Sequence, residues 1–217
     1  MKNNVKINLK KQLKVWVCVF FALTLFLKTF PFEVHAAVER DSSGLGFGQT
    51  SVLYDSSIGM PTSEANAITQ TSNGFIWIGS YSGLVRYDGN EFYRFDSSTG
   101  ISSVVSLYVD SQDTLWVGTN DSGIACFHNG EFTFYTKDDG LHSSSIRSIC
   151  EDPDGNIFIA TTQGINYIDS ESNLHSLDDE RVNGVYIYDL KRDAQGRIYG
   201  ETIGGNVFLI QDGAIQY

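Results

Sequence analysis

From Ala67 onward the chain is a series of short apolar segments broken by turn residues. Ala67-Ile68-Thr69, Ile76-Trp77-Ile78, Leu84-Val85-Arg86-Tyr87 and Phe92-Tyr93-Arg94-Phe95 are separated by Asn73-Gly74, Ser82-Gly83 and Asp88-Gly89-Asn90. Runs this short, closed by such pairs, predict strands and tight turns and not helix. Asp-Gly and Asn-Gly supply the positive φ angles that two-residue hairpin loops demand. Residues 67–95 therefore read as a four-stranded antiparallel meander.

The meander recurs three times. Trp77 is matched by Trp116, Phe158 and Tyr199, at spacings of 39, 42 and 41 residues, each behind an apolar residue (Ile76, Leu115, Ile157, Ile198). Gly83-Leu84, Gly123-Ile124 and Gly164-Ile165 open the third strand of successive units, with Gly205-Asn206-Val207 as a looser version. The fourth strand returns at 92–95, 132–135, 174–177 and 214–217. A period near 40 with four strands per unit predicts an all-β fold of β-propeller blades, about 65–95, 104–135, 146–177 and 186–217. Trp77 and Trp116 are expected in the layer between adjacent blades.

The run Asn73-Gly74-Phe75-Ile76-Trp77-Ile78-Gly79-Ser80, followed by Gly83-Leu84-Val85-Arg86-Tyr87-Asp88-Gly89 and an aromatic strand, resembles the two-component regulator propeller repeat. Leu115-Trp116-Val117-Gly118-Thr119 with Ser122-Gly123-Ile124 matches it again. The third unit departs at Phe158 and Ala160, and the fourth further, at Tyr199-Gly200-Glu201-Thr202. The resemblance covers residues 51–217. It implies an extracytoplasmic sensing propeller of a membrane receptor, with the output domain across the membrane. It also implies a ring of about seven blades. Ser51-Val52-Leu53-Tyr54 matches an outer strand that has no blade of its own, while the fourth unit already has one. Four blades plus an orphan strand, 51–54, are therefore expected to be part of a larger ring. Such a piece should expose blade faces and be prone to aggregate.

The first 36 residues change the picture. Lysines precede an apolar run from Val15 to Leu27 that ends at Lys28, and Val34-His35-Ala36 has the pattern of a cleavage site. This predicts a signal peptide over 1–36, or an uncleaved signal anchor if Lys28 snorkels and lengthens the span. Both readings export the repeats. Residues 37–50, rich in Ser and Gly, read as a linker. Residues 37–217 carry nine basic and 25 acidic side chains, a net of −16. A surface so acidic repels nucleic acid and anionic lipid headgroups, and is compatible with neutral or cationic ligands.

Catalytic chemistry finds little footing. His128, His142 and His175 lack partners at metal-ligand spacing, so no metal or cofactor is expected. Asp152-Pro153-Asp154-Gly155-Asn156 lacks the later ligands of a calcium loop and reads as a turn. Gly204 to Phe208 falls on a second hairpin, and Cys126 and Cys150 read as buried free thiols. Binding remains. The loops joining second to third strands ring one mouth of a propeller channel and here include Tyr81, Asn120, Asp121 and Gln163. A flat aromatic beside paired hydrogen-bonding groups suits a hydroxylated small molecule or oligosaccharide. The expected partners are that ligand, further blades and a downstream signalling domain of the same receptor, with membrane attachment through the leader or a later segment. A propeller lyase or glycosidase with its catalytic groups in further blades, and a protein-interaction scaffold, are the alternatives.

Overall fold

The computed structural model describes residues 52–95, 97–211 and 213–216. The leader, the linker and Ser51 lie outside the described residues. Among the described residues sixteen strands form four antiparallel sheets, each in simple sequential order. The first blade is β1 (Ala67–Gln70), β2 (Ile76–Ser80), β3 (Gly83–Tyr87) and β4 (Phe92–Phe95), and the second is β5 (Val104–Val109), β6 (Leu115–Thr119), β7 (Ile124–His128) and β8 (Glu131–Tyr135). The third is β9 (Ile146–Glu151), β10 (Ile157–Thr161), β11 (Gly164–Ile168) and β12 (Leu174–Ser176), and the fourth is β13 (Ile187–Arg192), β14 (Ile198–Thr202), β15 (Val207–Gln211) and β16 (Ala214–Gln216). All lie in one compact unit, residues 54–217.

The alternation of side chains along each strand explains the packing, because each of the three layers between adjacent blades is filled from both sides. Trp77 and Leu84 leave the first blade to meet Val104, Leu115, Val117 and Ala125 of the second. Trp116 and Ile124 leave the second to meet Ile146, Ile149, Ile157 and Ile159 of the third. Phe158, Ala160 and Ile165 leave the third to meet Ile187, Leu190 and Ile198 of the fourth. Trp77 is 2% and Trp116 6% exposed, so both repeated aromatics lie in the layer between blades as the spacing predicts.

Each connector between blades adds one buried plug. Ser97–Thr99 and Lys137–Asp139 are single 3₁₀ turns, the latter held by a capping box in which Thr136 and Asp139 bond each other's backbone. Gly140, at φ 114°, turns the chain in a region that only glycine enters freely, and Leu141 then drops into the core at 3% exposure. Ile101 and Val182 do the same at the neighbouring interfaces, and Met60 caps the free side of the first blade against Ile78 and Val85.

Val52 to Tyr54, expected as an outer strand, belong to no sheet. Tyr54 instead sets its ring edge-on to Tyr87 and Phe92, at 5.3 and 5.9 Å. Edge-to-face contacts there cover apolar surface without a ladder.

Candidate ligand-binding site

Two sets of turns close opposite ends of the blades. The turns from first to second strand begin with Thr71, Asp110, Asp152 and Asp193: Thr71 Oγ1 donates to Asn73 Oδ1, and the three aspartates accept from amides of their own turns. Asp152-Pro153-Asp154-Gly155-Asn156 is one of these, with Asp152 Oδ1 accepting from the amides of Asp154 and Asn156. At the other end, Ser80, Thr119 and Thr161 close the β2–β3, β6–β7 and β10–β11 turns by donating to the carbonyls of Gly83, Gly123 and Gly164. Tyr81, Asn120, Asp121 and Gln163 sit on these three turns and all are exposed.

What lies beneath them comes from an irregularity in the innermost strands. The β5–β6, β9–β10 and β13–β14 ladders each shift register by one residue, leaving Val105, Arg147 and Tyr188 outside the pairing. A bulge of this kind bends the strand and re-aims one side chain. Three in register place an apolar, a cationic and an aromatic side chain at the start of consecutive inner strands. Arg147 is half-buried. One Nη donates to Asn120 Oδ1 at 2.8 Å and to Ser145 Oγ at 2.6 Å, and the guanidinium lies 5.4 Å from the Tyr186 ring centre. Among the described residues no carboxylate pairs with it, and its Nε is buried with no partner.

The inner strands line an open cleft of about 480 Å³ whose polar lining is Ser106, Tyr108, Arg147, Ser148, Asp189, Lys191 and Arg192. Ser148 donates to Asp189 at 2.7 Å, and Lys191 pairs with Asp189 at 3.2 Å. Arg192 donates to the carbonyls of Glu151 and Asp152. Ser106, at the same register one blade earlier, has a buried hydroxyl without a partner among the described residues. Cys150 also lines the cleft, and burial pushes its thiol up to about 11, so it stays protonated and inert at neutral pH. Cys126 and Cys150 are both free thiols.

The expected site residues are thus placed at one end, and one of them is tied to the interior. Asn120 is the acceptor of the Arg147 network. Asp121 accepts from Ser122 Oγ, Gln163 holds its turn through its backbone, and Tyr81 is 59% exposed. No hydrogen bond or ring contact among the described residues joins the side chains of Tyr81, Asp121 and Gln163 to one another. The sequence reading missed Arg147, Ser106 and Lys191, because it weighed turns and not the inner strand. The signal available was a basic residue on a first strand of an acidic chain. Among the described residues no group of His, Cys, Asp and Glu could hold a metal ion. His128 meets Thr114, and His175 meets Asp169.

Four sheets with buried aromatics between them are the blades of a β-propeller. Residues 59–82, 100–121 and 140–163 match the family model described as two component regulator propeller, so the chain carries that family's repeat in its first three blades. Each match runs from a connector glycine to a turn of the candidate site. No curated protein matches the sequence. Among solved structures, the extracellular domain assigned to the hybrid two component system BT3049 of B. thetaiotaomicron is similar at 24% identity and a TM-score of 0.65, over 75% of this chain and 24% of that one. The extracellular domain of the one component system BT4673 from the same organism is 20% identical with a TM-score of 0.60, over 74% of this chain and 26% of that one. A catalytically inactive virginiamycin B lyase from Staphylococcus aureus, with quinupristin, is 17% identical with a TM-score of 0.60, over 70% of this chain and 54% of that one. The chain thus spans about a quarter of the two sensor-system structures and about half of the lyase.

Proposed function

We propose that this chain is the ligand-sensing part of an extracytoplasmic receptor propeller, and that it takes a hydroxylated small molecule or oligosaccharide at the channel mouth below Tyr81, Asn120, Asp121 and Gln163. The observation that carries the reading is the link from Asn120 to Arg147: a turn residue of a regulator repeat is wired to a cationic side chain on the channel wall. A ligand seated there would touch turns from adjacent blades at once and shift how they pack, which is the differential contact a sensor needs. The leader would deliver the repeats outside the cytoplasm, and further blades and an output domain would complete the receptor.

Two measurements test it. Protease applied to intact cells should degrade the propeller while a cytoplasmic marker survives; full protection would sink the exported location. A panel of oligosaccharides added to the purified chain should raise its melting temperature for one class, because a ligand bound only by the folded state stabilises it by RT ln(1 + [L]/Kd), about 2.7 kcal/mol at a hundredfold excess over Kd. A flat response across the panel would favour a scaffold. Turnover of any panel member would favour the lyase or glycosidase alternative.

A further inference from the structure

The first blade departs from its own repeat at three positions that meet in space. Arg86 on β3 stands opposite Trp77 on one side and Tyr93 on the other. The same register holds Cys126 and Thr133 in the second blade, Tyr167 and His175 in the third, and Leu209 and Gln216 in the fourth. Phe75, two residues before Trp77, stands where the other blades have Thr114, Asn156 and Arg197. The first blade alone therefore places a cation on its third strand at this register, and it supplies two rings to hold it. The Arg86 guanidinium lies 4.5 Å from the Phe75 ring centre and 5.4 Å from that of Tyr93.

Contacts with ring faces hold a guanidinium without using its hydrogen bonds. Among the described residues Arg86 has neither a hydrogen-bond acceptor nor a carboxylate partner. Its nitrogens reach solvent, unlike the partnerless Nε of Arg147. The residue lines a groove of about 340 Å³ where the first blade meets the second, at the end of the blades away from Tyr81 and Asn120. Phe75, Trp77, Leu115 and Phe127 give that groove apolar walls. The one carboxylate in its lining, Asp113, is already occupied. Its two oxygens accept from the Ser72 amide at 2.6 Å and the Ser72 hydroxyl at 2.7 Å. Asp88, whose carboxyl feels the charge of Arg86, accepts from the amides of Asn90 and Glu91. Arg86 is thus a cation held in place, open to solvent and committed to no acceptor.

We infer that this groove binds a small organic acid, a planar carboxylate on an apolar or aromatic body, with Arg86 as its anchor. The planar fork of a guanidinium matches the two oxygens of a carboxylate, and the apolar walls take the body. The ring contacts fix the arginine beforehand, so less side-chain freedom is lost when the acid arrives. The net of −16 over residues 37–217 does not decide the contact, because charges are screened beyond about 8 Å at physiological ionic strength. The site shares no residue with the channel mouth and does not rest on the sensing reading.

Calorimetric titration of the purified chain with benzoate, phenylacetate and cyclohexanecarboxylate, each beside its neutral amide, tests the inference. At least one acid should bind about tenfold or more tighter than its amide, which keeps the shape and lacks the charge. Arg86→Gln should bring that acid and its amide together. Arg94→Gln removes a cation of the same blade that donates to the Ser82 carbonyl, and it should leave the ratio unchanged. If Arg86→Gln does not fold, Tyr93→Leu carries the test, since Tyr93 is exposed and its ring only steadies the guanidinium. That variant should weaken the acid and spare the amide, and unchanged binding of the acid overturns the inference. A wild type that prefers no acid over its amide overturns it, and so does a preference that survives Arg86→Gln. The sensing reading is decided separately by its own oligosaccharide panel, whose outcome Arg86→Gln should not alter.

Discussion

At the scale of single residues, the repeated aromatic is more than a hydrophobic plug. The Trp77 indole N–H donates to Thr71 Oγ1 at 3.1 Å, and the Trp116 indole N–H to Asp110 Oδ2 at 2.8 Å. The residue that opens the turn therefore also satisfies the buried ring nitrogen. Where the third blade has Phe158, which has no N–H, Asp152 Oδ2 takes the Asn156 side-chain amide. In the fourth, Asp193 Oδ2 takes Arg197. Asp110→Ala should leave the indole N–H buried without an acceptor and cost about 1–3 kcal/mol. Trp116→Ala should cost about 3–5 kcal/mol by opening a cavity. Denaturant midpoints measure both, and a Trp116→Ala midpoint equal to wild type would refute the buried role. A charged group sets a different kind of expectation. Asp169 accepts from His175 and from the amides of Asn173 and Glu171, which hold its carboxyl down at about 2 against an ordinary 3.8. A carboxyl depressed by folding contributes stability that is present above pH 3.8 and lost as pH falls toward 2. Asp169→Asn should therefore flatten the acid side of the stability profile between those values, and an unchanged profile would show that the pair contributes nothing.

At the scale of the element, strands and turns were legible because the period of two and the Gly-containing turns agree everywhere. Trp77, Gly83 and Phe92 each predicted a strand that the structure contains, down to the pairing of Ser80 with Gly83. The glycines inside the second strands had a hidden reason. A Cβ on Gly79 would lie 2.5 Å from Val104 Cγ1, and one on Gly118 would lie 2.7 Å from Ile146 Cγ2. Each glycine lets the first strand of the next blade come close, and Ala160, the third-unit departure, is the largest residue this position admits among the three packed interfaces. Gly118→Ala should thus cost about 1–3 kcal/mol by overpacking, although glycine is a poor strand residue. A Gly118→Ala chain more stable than wild type would show that the close approach relaxes freely. The inner-strand bulges were not legible. An extra residue at Val105, Arg147 and Tyr188 interrupts alternation by a single position, which leaves no mark in an apolar pattern. Hence Arg147 escaped notice while Asn120, its partner in a turn, did not. The fourth blade hid a second exchange: Gly200 faces Phe208 in the ladder, where the second blade pairs Val117 with Ala125. The Phe208 ring occupies the space that a side chain at Gly200 would need.

At the scale of the whole molecule, the register places Glu201 where the preceding blades have Gly79, Gly118 and Ala160. It is exposed, and its cross-strand partners Asp189 and Val207 share its face. Val207 is 61% exposed, whereas Ile124 at the same register of the second blade is 1% exposed. A first strand arriving as Val104 and Ile146 do would meet the Glu201 side chain instead of a bare backbone. So a blade placed here in the repeat's own register would have to carry a cation or move outward. The carboxylate also guards the face in its absence, as charged residues guard exposed sheet surfaces and edges against pairing with copies of themselves. The sequence alone predicts aggregation from uncovered blade faces; Glu201 and Lys191 on this one should limit that tendency. Glu201→Ala removes the charge and restores the small residue of the other interfaces, while Glu201→Gln removes the charge and keeps the bulk. Sedimentation of residues 37–217 at neutral pH should then show the largest shift toward dimers and higher species for Glu201→Ala, a smaller one for Glu201→Gln, and the least association for wild type. Equal sedimentation of all three would show that neither charge nor bulk at this position governs what the fourth blade accepts.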